Sequence, residues 1–130
     1  MPTIFSKIVA GEIPCYKIYE DEKFLAFLDI NPLAQGHTLV IPKQEIDYFF
    51  DINDSMLSEM MLVAKRIAIS LKKTIECKKV GVIVIGDEVP HAHIHLIPFQ
   101  NPSKMSFTSP KLKLISEQLI EIQQKIISNL

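Results

Sequence analysis

Apolar residues recur along this chain with two different periods, and the points where the period changes mark out its elements. Ile4 and Ile8 stand four apart in Ile4-Phe5-Ser6-Lys7-Ile8-Val9 and predict a short helical turn, which Gly11 and Pro14 end. Lys17-Ile18-Tyr19-Glu20 and Phe24-Leu25-Ala26-Phe27-Leu28 predict two strands around the polar turn Asp21-Glu22, and Asp29-Ile30-Asn31-Pro32 closes the second. A third strand, His37-Thr38-Leu39-Val40-Ile41, lies between Gly36 and Pro42. Asn53 or Asp54 can cap a long helix in which Met56, Met60, Val63, Ile67 and Leu71 form one apolar stripe. At that spacing the methionines predict core packing rather than a soft ligand groove. Lys72, Lys73, Lys78 and Lys79 put positive charge at the helix end, where the macrodipole favours it. Val80-Gly81-Val82-Ile83-Val84-Ile85 is apolar throughout and predicts a central strand, buried on both faces. Pro90 and Pro98 bracket a strand over His91–Ile97. Residues 100–110 are polar and contain two prolines, so they predict a loop. Ser116 can cap a last helix, spanning about 111–129, whose apolar side carries Leu119, Ile122, Ile126 and Leu130. The order predicts an α+β fold: a five-stranded antiparallel sheet with one long helix and a C-terminal helix.

Composition narrows the function classes. A chain of 130 residues without repeats or linkers predicts a single domain over residues 1–130. Fourteen basic residues against fifteen acidic ones leave a net charge of -1. That balance carries no footprint for nucleic acid or an anionic membrane, but it permits a local site for a small anion. Cys15 and Cys77 are far apart and predict two unpaired, reduced thiols. The first residues lack a signal-peptide pattern, and no apolar run approaches the roughly 18 residues of a membrane span, so the cytoplasm is expected.

Three of the four histidines fall in His91-Ala92-His93-Ile94-His95. On a strand, alternate side chains share a face, so these three predict one row spaced about 6.6–6.8 Å apart. Ala92, Ile94 and Leu96 then face the core, and His37 can approach from a neighbouring strand. A single strand histidine usually serves structure; three in strict alternation point to chemistry. Imidazole titrates near pH 6.5 and can act as nucleophile, base, acid or phosphate clamp. Clustered rings depress one another's pKa, keeping at least one neutral. Zinc is the alternative, but a row about 13 Å long cannot bring all three rings to one ion at about 2.1 Å. A metal site therefore needs two of them with His37 or an acid.

The run His91-Ala92-His93-Ile94-His95-Leu96-Ile97 resembles the histidine triad motif, and the resemblance extends over most of the chain. Thr3–Ile8 with Gly11-Glu12-Ile13-Pro14, Phe27–Pro32 and Gly36–Lys43 resemble the family's other segments in order and spacing. The chain is thus identified as resembling the histidine triad (HIT) family, nearest its nucleoside phosphoramidase branch. The resemblance implies a HIT-like fold and a nucleotide hydrolase or transferase needing no cofactor or metal. Its substrates are phosphoramidates, acyl adenylates or dinucleoside polyphosphates, with a purine nucleotide such as AMP as ligand. By this resemblance His93 attacks the α-phosphorus and forms a nucleotidyl-histidine, and His95 holds a phosphate oxygen. His91 and His37 complete the histidine network. Asp29 binds the ribose hydroxyls, and Ile4, Phe5, Ile8, Phe27 and Ile30 wall the base pocket. The resemblance also implies a homodimer, with the long helix and a sheet edge at the interface. From the residues alone, Ile4, Ile8 and Phe27 read as core and Asp29 as a turn residue.

Two departures stand out. Thr3 and Ser6 occupy positions where many bacterial relatives carry zinc-binding cysteines spaced C-x2-C. Before the triad, where relatives carry an Asn and then a Gly-Gln-Ser/Thr run that binds phosphate, this chain has Val80 and then Gly86-Asp87-Glu88. Gly86 can stand for that glycine at the phosphate. Glu88 takes the Ser/Thr position, where a carboxylate repels phosphate unless it is turned away, or selects a cationic leaving group. Three functions remain open: an enzyme cleaving nucleotide conjugates, a nucleotide-binding module with little turnover, and a zinc-dependent hydrolase.

Overall fold

A computed structural model describes residues 2–130. Thr3 begins the fold by capping α1 (Ile4–Val9). Its hydroxyl accepts from the Ser6 amide at 3.0 Å, and the Ser6 hydroxyl accepts in return from the Thr3 amide at 3.3 Å. This reciprocal box satisfies two donors that a helix start otherwise leaves free. The chain then runs through β1 (Lys17–Glu20), β2 (Phe24–Leu28), β3 (Thr38–Pro42), α2 (Asp54–Thr74), β4 (Lys79–Ile83), β5 (Ile94–Phe99) and α3 (Ser116–Ser128). As expected from the sequence, the Asn53 side chain caps α2, accepting from the Met56 amide at 2.8 Å. No helix among the described residues is long and apolar enough to cross a membrane.

The five strands form one antiparallel sheet in the order β1-β2-β3-β5-β4. The pleat gives it two unlike faces. On one, Phe24, Ala26, Leu28, Val40, Ile94 and Leu96 pack beneath Met60, Val63, Ile67 and Leu71 of α2 and Leu119, Ile122 and Ile126 of α3. Each fully buried Val, Leu, Ile, Phe or Met side chain among them contributes about 1.5–3 kcal/mol of hydrophobic stabilisation. Ser70 ties the two helices together, its hydroxyl donating to the Ile126 carbonyl at 2.5 Å. On the other face, Leu25, Phe27, Leu39 and Ile41 form a second apolar cluster with Phe5 of α1. That smaller layer carries the histidines.

Three elements depart from the expectation. The strand predicted over His91–Ile97 begins only at Ile94 and runs to Phe99, because the preceding amides go elsewhere: His91 N–H to the Val89 carbonyl and Ala92 N–H to the Ile46 carbonyl. Pro98 lies within β5 rather than stopping it, at a position opposite Val80 of β4. The apolar run before Gly86 forms strand only to Ile83, at the sheet edge and not its centre; Val82 is 52% exposed, and Ile85, beyond the strand, 62%. The last helix starts at Ser116, not near 111, so Ser116 is its first residue rather than its cap. Ahead of it the chain stays extended and is pinned to the sheet end by the Leu112 amide, which donates to the Pro32 carbonyl at 2.8 Å. Leu130, expected on the buried stripe, lies beyond the helix and is exposed.

Gly36 sets the entry into β3. Its φ of +84° is a left-handed conformation, and an added Cβ would stand 3.0 Å from Ile75 Cγ1 and 3.2 Å from Leu71 Cδ2. Gly36→Ala therefore combines backbone strain with a tight contact and should cost about 1–3 kcal/mol, read as a lower urea midpoint with unchanged slope.

Candidate active site

Each histidine is placed by a different part of the frame. His95 lies on β5 opposite Leu39 of β3, on the face of the second cluster. His37 precedes β3, just after the Gly36 turn. His93 and His91 lie on the irregular segment before β5. The rings form a continuous layer: 5.2 Å between the centroids of His37 and His95, 4.8 Å between His95 and His93, and 5.0 Å between His93 and Phe5. All four histidines are buried.

Their hydrogen bonds determine where each proton sits. The Leu33 amide donates to His37 Nδ1 at 3.0 Å, so Nδ1 must be bare and the ring neutral. The proton of His37 is then on Nε2, which meets His95 Nδ1 at 2.9 Å. His95 accepts there and carries its own proton on Nε2. His93 Nδ1 lies 2.7 Å from the His91 carbonyl, an acceptor, so Nδ1 holds the proton and Nε2 keeps a free lone pair. His91 Nε2 donates to the Pro42 carbonyl at 2.8 Å, while its Nδ1 faces the Thr3 hydroxyl at 3.0 Å. That hydroxyl also lies 3.1 Å from the Ser6 hydroxyl, so it bridges His91 to the start of α1. The result is one ring offering a lone pair beside one offering an N–H.

His91 and His37, expected to act together, stand at opposite ends of the row. His37 works on His95 through its ring, and His91 works on His93 through its backbone carbonyl. His91, 0% exposed, is locked at both nitrogens. Sequence reasoning missed what locks it. Thr3 and Ser6, noted only as absent cysteines, join Glu45, whose Oε1 accepts from the Thr3 amide at 3.1 Å and from the Ser6 hydroxyl. The capping-box pattern at Thr3 was the available signal; nothing local links Glu45 to it. Phe107 was missed as well: its ring lies 4.7 Å from that of His95.

Electrostatics agree with the hydrogen bonds. Burial, the largest cause, pushes His37 down to about 4 and His95 down to about 3. His93 is also lowered, chiefly by burial, with the bond to the His91 carbonyl opposing the shift. Asp29 Oδ2 lies 3.6 Å from His37 Nε2, but with His37 neutral this is a dipolar contact and not an ion pair. Burial raises the Asp29 carboxyl, against the Asn31 amide, which donates to Oδ1 at 2.8 Å. Asp29, His37 and His95 form a group, among the described residues, whose ligand atoms lie within 4.8 Å of one another. Because Leu33 occupies His37 Nδ1, an ion there would have to displace the proton His37 shares with His95.

Phe5 and Phe27 are buried together, with ring centroids 5.7 Å apart, and Ile8 packs beside them. Ile4 and Ile30 are exposed. Gly86 adopts a φ of +74° in the loop before the triad, and Glu88 beyond it is exposed. Its charge is nonetheless felt at His93 and Asp29. Cys15 and Cys77 are free thiols.

The chain matches the family model of the HIT domain over residues 10–101. It is 38% identical over 135 residues to an uncharacterized HIT-like protein of Borreliella burgdorferi, covering 98% of this chain and 97% of that one. It is 43% identical over 96 residues to the adenosine 5′-monophosphoramidase HNT1 of Saccharomyces cerevisiae, covering 73% of this chain and 61% of the yeast protein. A crystal structure of a Hit-like protein involved in cell-cycle regulation from Bartonella henselae superposes with a TM-score of 0.85 at 32% identity, over 98% of this chain and 96% of that one.

Burying neutral histidines links stability to pH. Their folded pKa values lie below the unfolded value near 6.5, so the unfolded chain binds more protons between these limits. Stability should be fully present above pH 6.5 and fall as the pH drops through that window toward 4 and 3. At about 1.4 kcal/mol per pKa unit, the loss should be at least about 2 kcal/mol, measured by urea unfolding at pH 7 and pH 4.5. His37→Gln should flatten the dependence; an equal slope in wild type and variant contradicts the assignment.

Proposed function

The chain belongs to the HIT-domain family, and from that premise we propose that it is a nucleotide hydrolase or transferase acting at the α-phosphate of nucleoside phosphoramidates or related nucleotide conjugates. The observation that carries the reading is the hydrogen bond from His93 Nδ1 to the His91 carbonyl at 2.7 Å. It holds the ring in one tautomer and leaves Nε2 as a nucleophile that is not protonated at neutral pH. His93 Nε2 attacks the α-phosphorus, the phosphorus–leaving-group bond breaks, and the leaving group departs with a proton taken from solvent, to which the water of the second step returns one. Water then attacks the nucleotidyl-histidine, releasing the nucleoside monophosphate and restoring His93.

His95 supports the reaction differently. Its Nε2–H, set by the bond from His37, is free to donate to a non-bridging phosphate oxygen whose charge grows in the transition state. Asp29 binds the ribose hydroxyls, and the apolar residues around Phe5 receive a purine base. Gly86 and Glu88 border the phosphate. A relative named as an adenosine 5′-monophosphoramidase supports this substrate class. A nucleotide-binding module with little turnover is the second reading, favoured by the charge of Glu88 reaching His93.

We read the working unit as a homodimer. β4 is an open edge with Val82 exposed and Ile85 exposed just beyond it, and Met61, Leu62 and Ile69 form an exposed apolar stripe on α2. Ile69 and Val80 border one shallow groove, so the two surfaces adjoin. An apolar strand edge left open invites pairing with another chain. The double variant Ile69→Glu, Val82→Glu should sediment as a monomer where the wild type sediments as a dimer; equal masses contradict the interface.

The activity is tested by incubating the protein with labelled adenosine phosphoramidate and quenching in denaturant. Label should remain covalently attached to wild type and be absent from His93→Ala, with turnover reduced by about 10⁴-fold or more. Full turnover in His93→Ala removes the nucleophile. Tight AMP binding without label or turnover in wild type selects the binding-module reading.

A further inference from the structure

The histidine layer has a charge deficit. A phosphoryl substrate is an anion, yet His37 and His95 each accept a hydrogen bond at Nδ1 and are therefore neutral. His93 is uncharged as a nucleophile. The groups that do carry charge nearby, Asp29 and Glu88, are acidic and repel phosphate. Neutral N–H donors alone are a weak answer to an anion, because hydrogen bonds from a cationic donor are roughly twice as strong. The site therefore needs a cation from elsewhere in the chain.

One is supplied by the segment between β5 and α3, which lies beyond residues 10–101, the part matching the family. This segment folds back over the site. Its Leu112 amide is bonded to the Pro32 carbonyl, on the loop that leads to His37. The Phe107 ring lies against His95 at 4.7 Å and near His37 at 6.5 Å, so it roofs the two neutral rings. The Lys111 ammonium stands 5.9 Å from the centre of that Phe107 ring. It donates to the carbonyls of Phe107 at 2.5 Å and Ser109 at 3.2 Å. An ammonium has three N–H donors, so one remains for a ligand. Its charge reaches the site: it opposes the burial that raises Asp29 and adds to the burial that lowers His37.

We propose that residues 107–111 form a cover over the histidines, in which Lys111 supplies the positive charge that holds the substrate's phosphates and favours polyphosphate substrates over those with a neutral leaving group. Phe107 shields His95 from water and holds the lysine in place. This rests on reading the site as a nucleotidyl-transfer centre, and it deepens that reading by assigning to Lys111 the choice among the family's substrates, toward nucleotides carrying phosphate beyond the α position.

The test compares wild type, Lys111→Met and Lys111→Arg in calorimetric titrations with adenosine, AMP and ADP. It adds kcat/KM for diadenosine triphosphate and for adenosine phosphoramidate. Lys111 is exposed, so neither substitution disturbs the core. Lys111→Met should weaken ADP by roughly tenfold or more, AMP less and adenosine not at all, with Lys111→Arg close to wild type. The ratio of kcat/KM values, triphosphate over phosphoramidate, should fall in parallel. Equal effects on all three ligands, or none, overturn the proposal. If wild type turns over neither substrate but the affinity pattern holds, the cover stands and the nucleotidyl-transfer reading falls. Absence of binding to wild type overturns both.

Discussion

The amide of Leu33 points its hydrogen at Nδ1 of His37 from 3.0 Å, and that one donor sets the protonation of two rings. A bare Nδ1 forces the proton of His37 onto Nε2; that proton makes His95 an acceptor at Nδ1; and His95 is left with an N–H at Nε2. The arrangement is stable only where water is excluded, because solvent would stabilise the charged forms. The second apolar cluster provides that exclusion through Phe5, Phe27 and Leu39, together with the Phe107 ring over His95. Hydrophobic packing and proton placement are thus one constraint. Loosening the small face of the sheet admits water, and water dissolves the difference between a ring that attacks and a ring that donates.

The two faces of the sheet divide the labour. The helix face, with α2 and α3, buries most of the large apolar side chains and sustains the fold. The other face is thinner and carries polar groups that would be costly in a core, but none of the buried side-chain polar atoms among the described residues lacks a partner. His91 is the clearest case. It is fully buried, bonded at both ring nitrogens, and lends its carbonyl to His93. It touches the chemistry through its backbone, so its side chain acts as an anchor. The anchor is held in turn by Thr3, Ser6 and Glu45, from segments far apart in the chain.

Much of this was legible in the sequence, for definable reasons. Strong periods with clear punctuation place α1, β2, β3 and α2, and the H-x-H-x-H run marks the site. What misled was local pattern without partners. The run Val80–Ile85 has the composition of a central strand, yet its place at the edge depends on β5 returning between it and β3. Alternation put His91 in a strand, whereas its amide bonds to Val89 and its ring to Thr3 and Pro42. The roof of Phe107 and Lys111 comes from a polar, proline-containing loop without periodicity, so only tertiary structure reveals it.

The central claim is a protonation pattern: His93 with its proton on Nδ1, and His37 and His95 with theirs on Nε2, all neutral at pH 7. Long-range proton–nitrogen NMR of side-chain-labelled protein reads this directly, because protonated and bare imidazole nitrogens resonate far apart. The account predicts a protonated Nδ1 and bare Nε2 for His93, and the reverse for His37 and His95. A bare Nδ1 on His93, or a doubly protonated His37 or His95 at that pH, would contradict it.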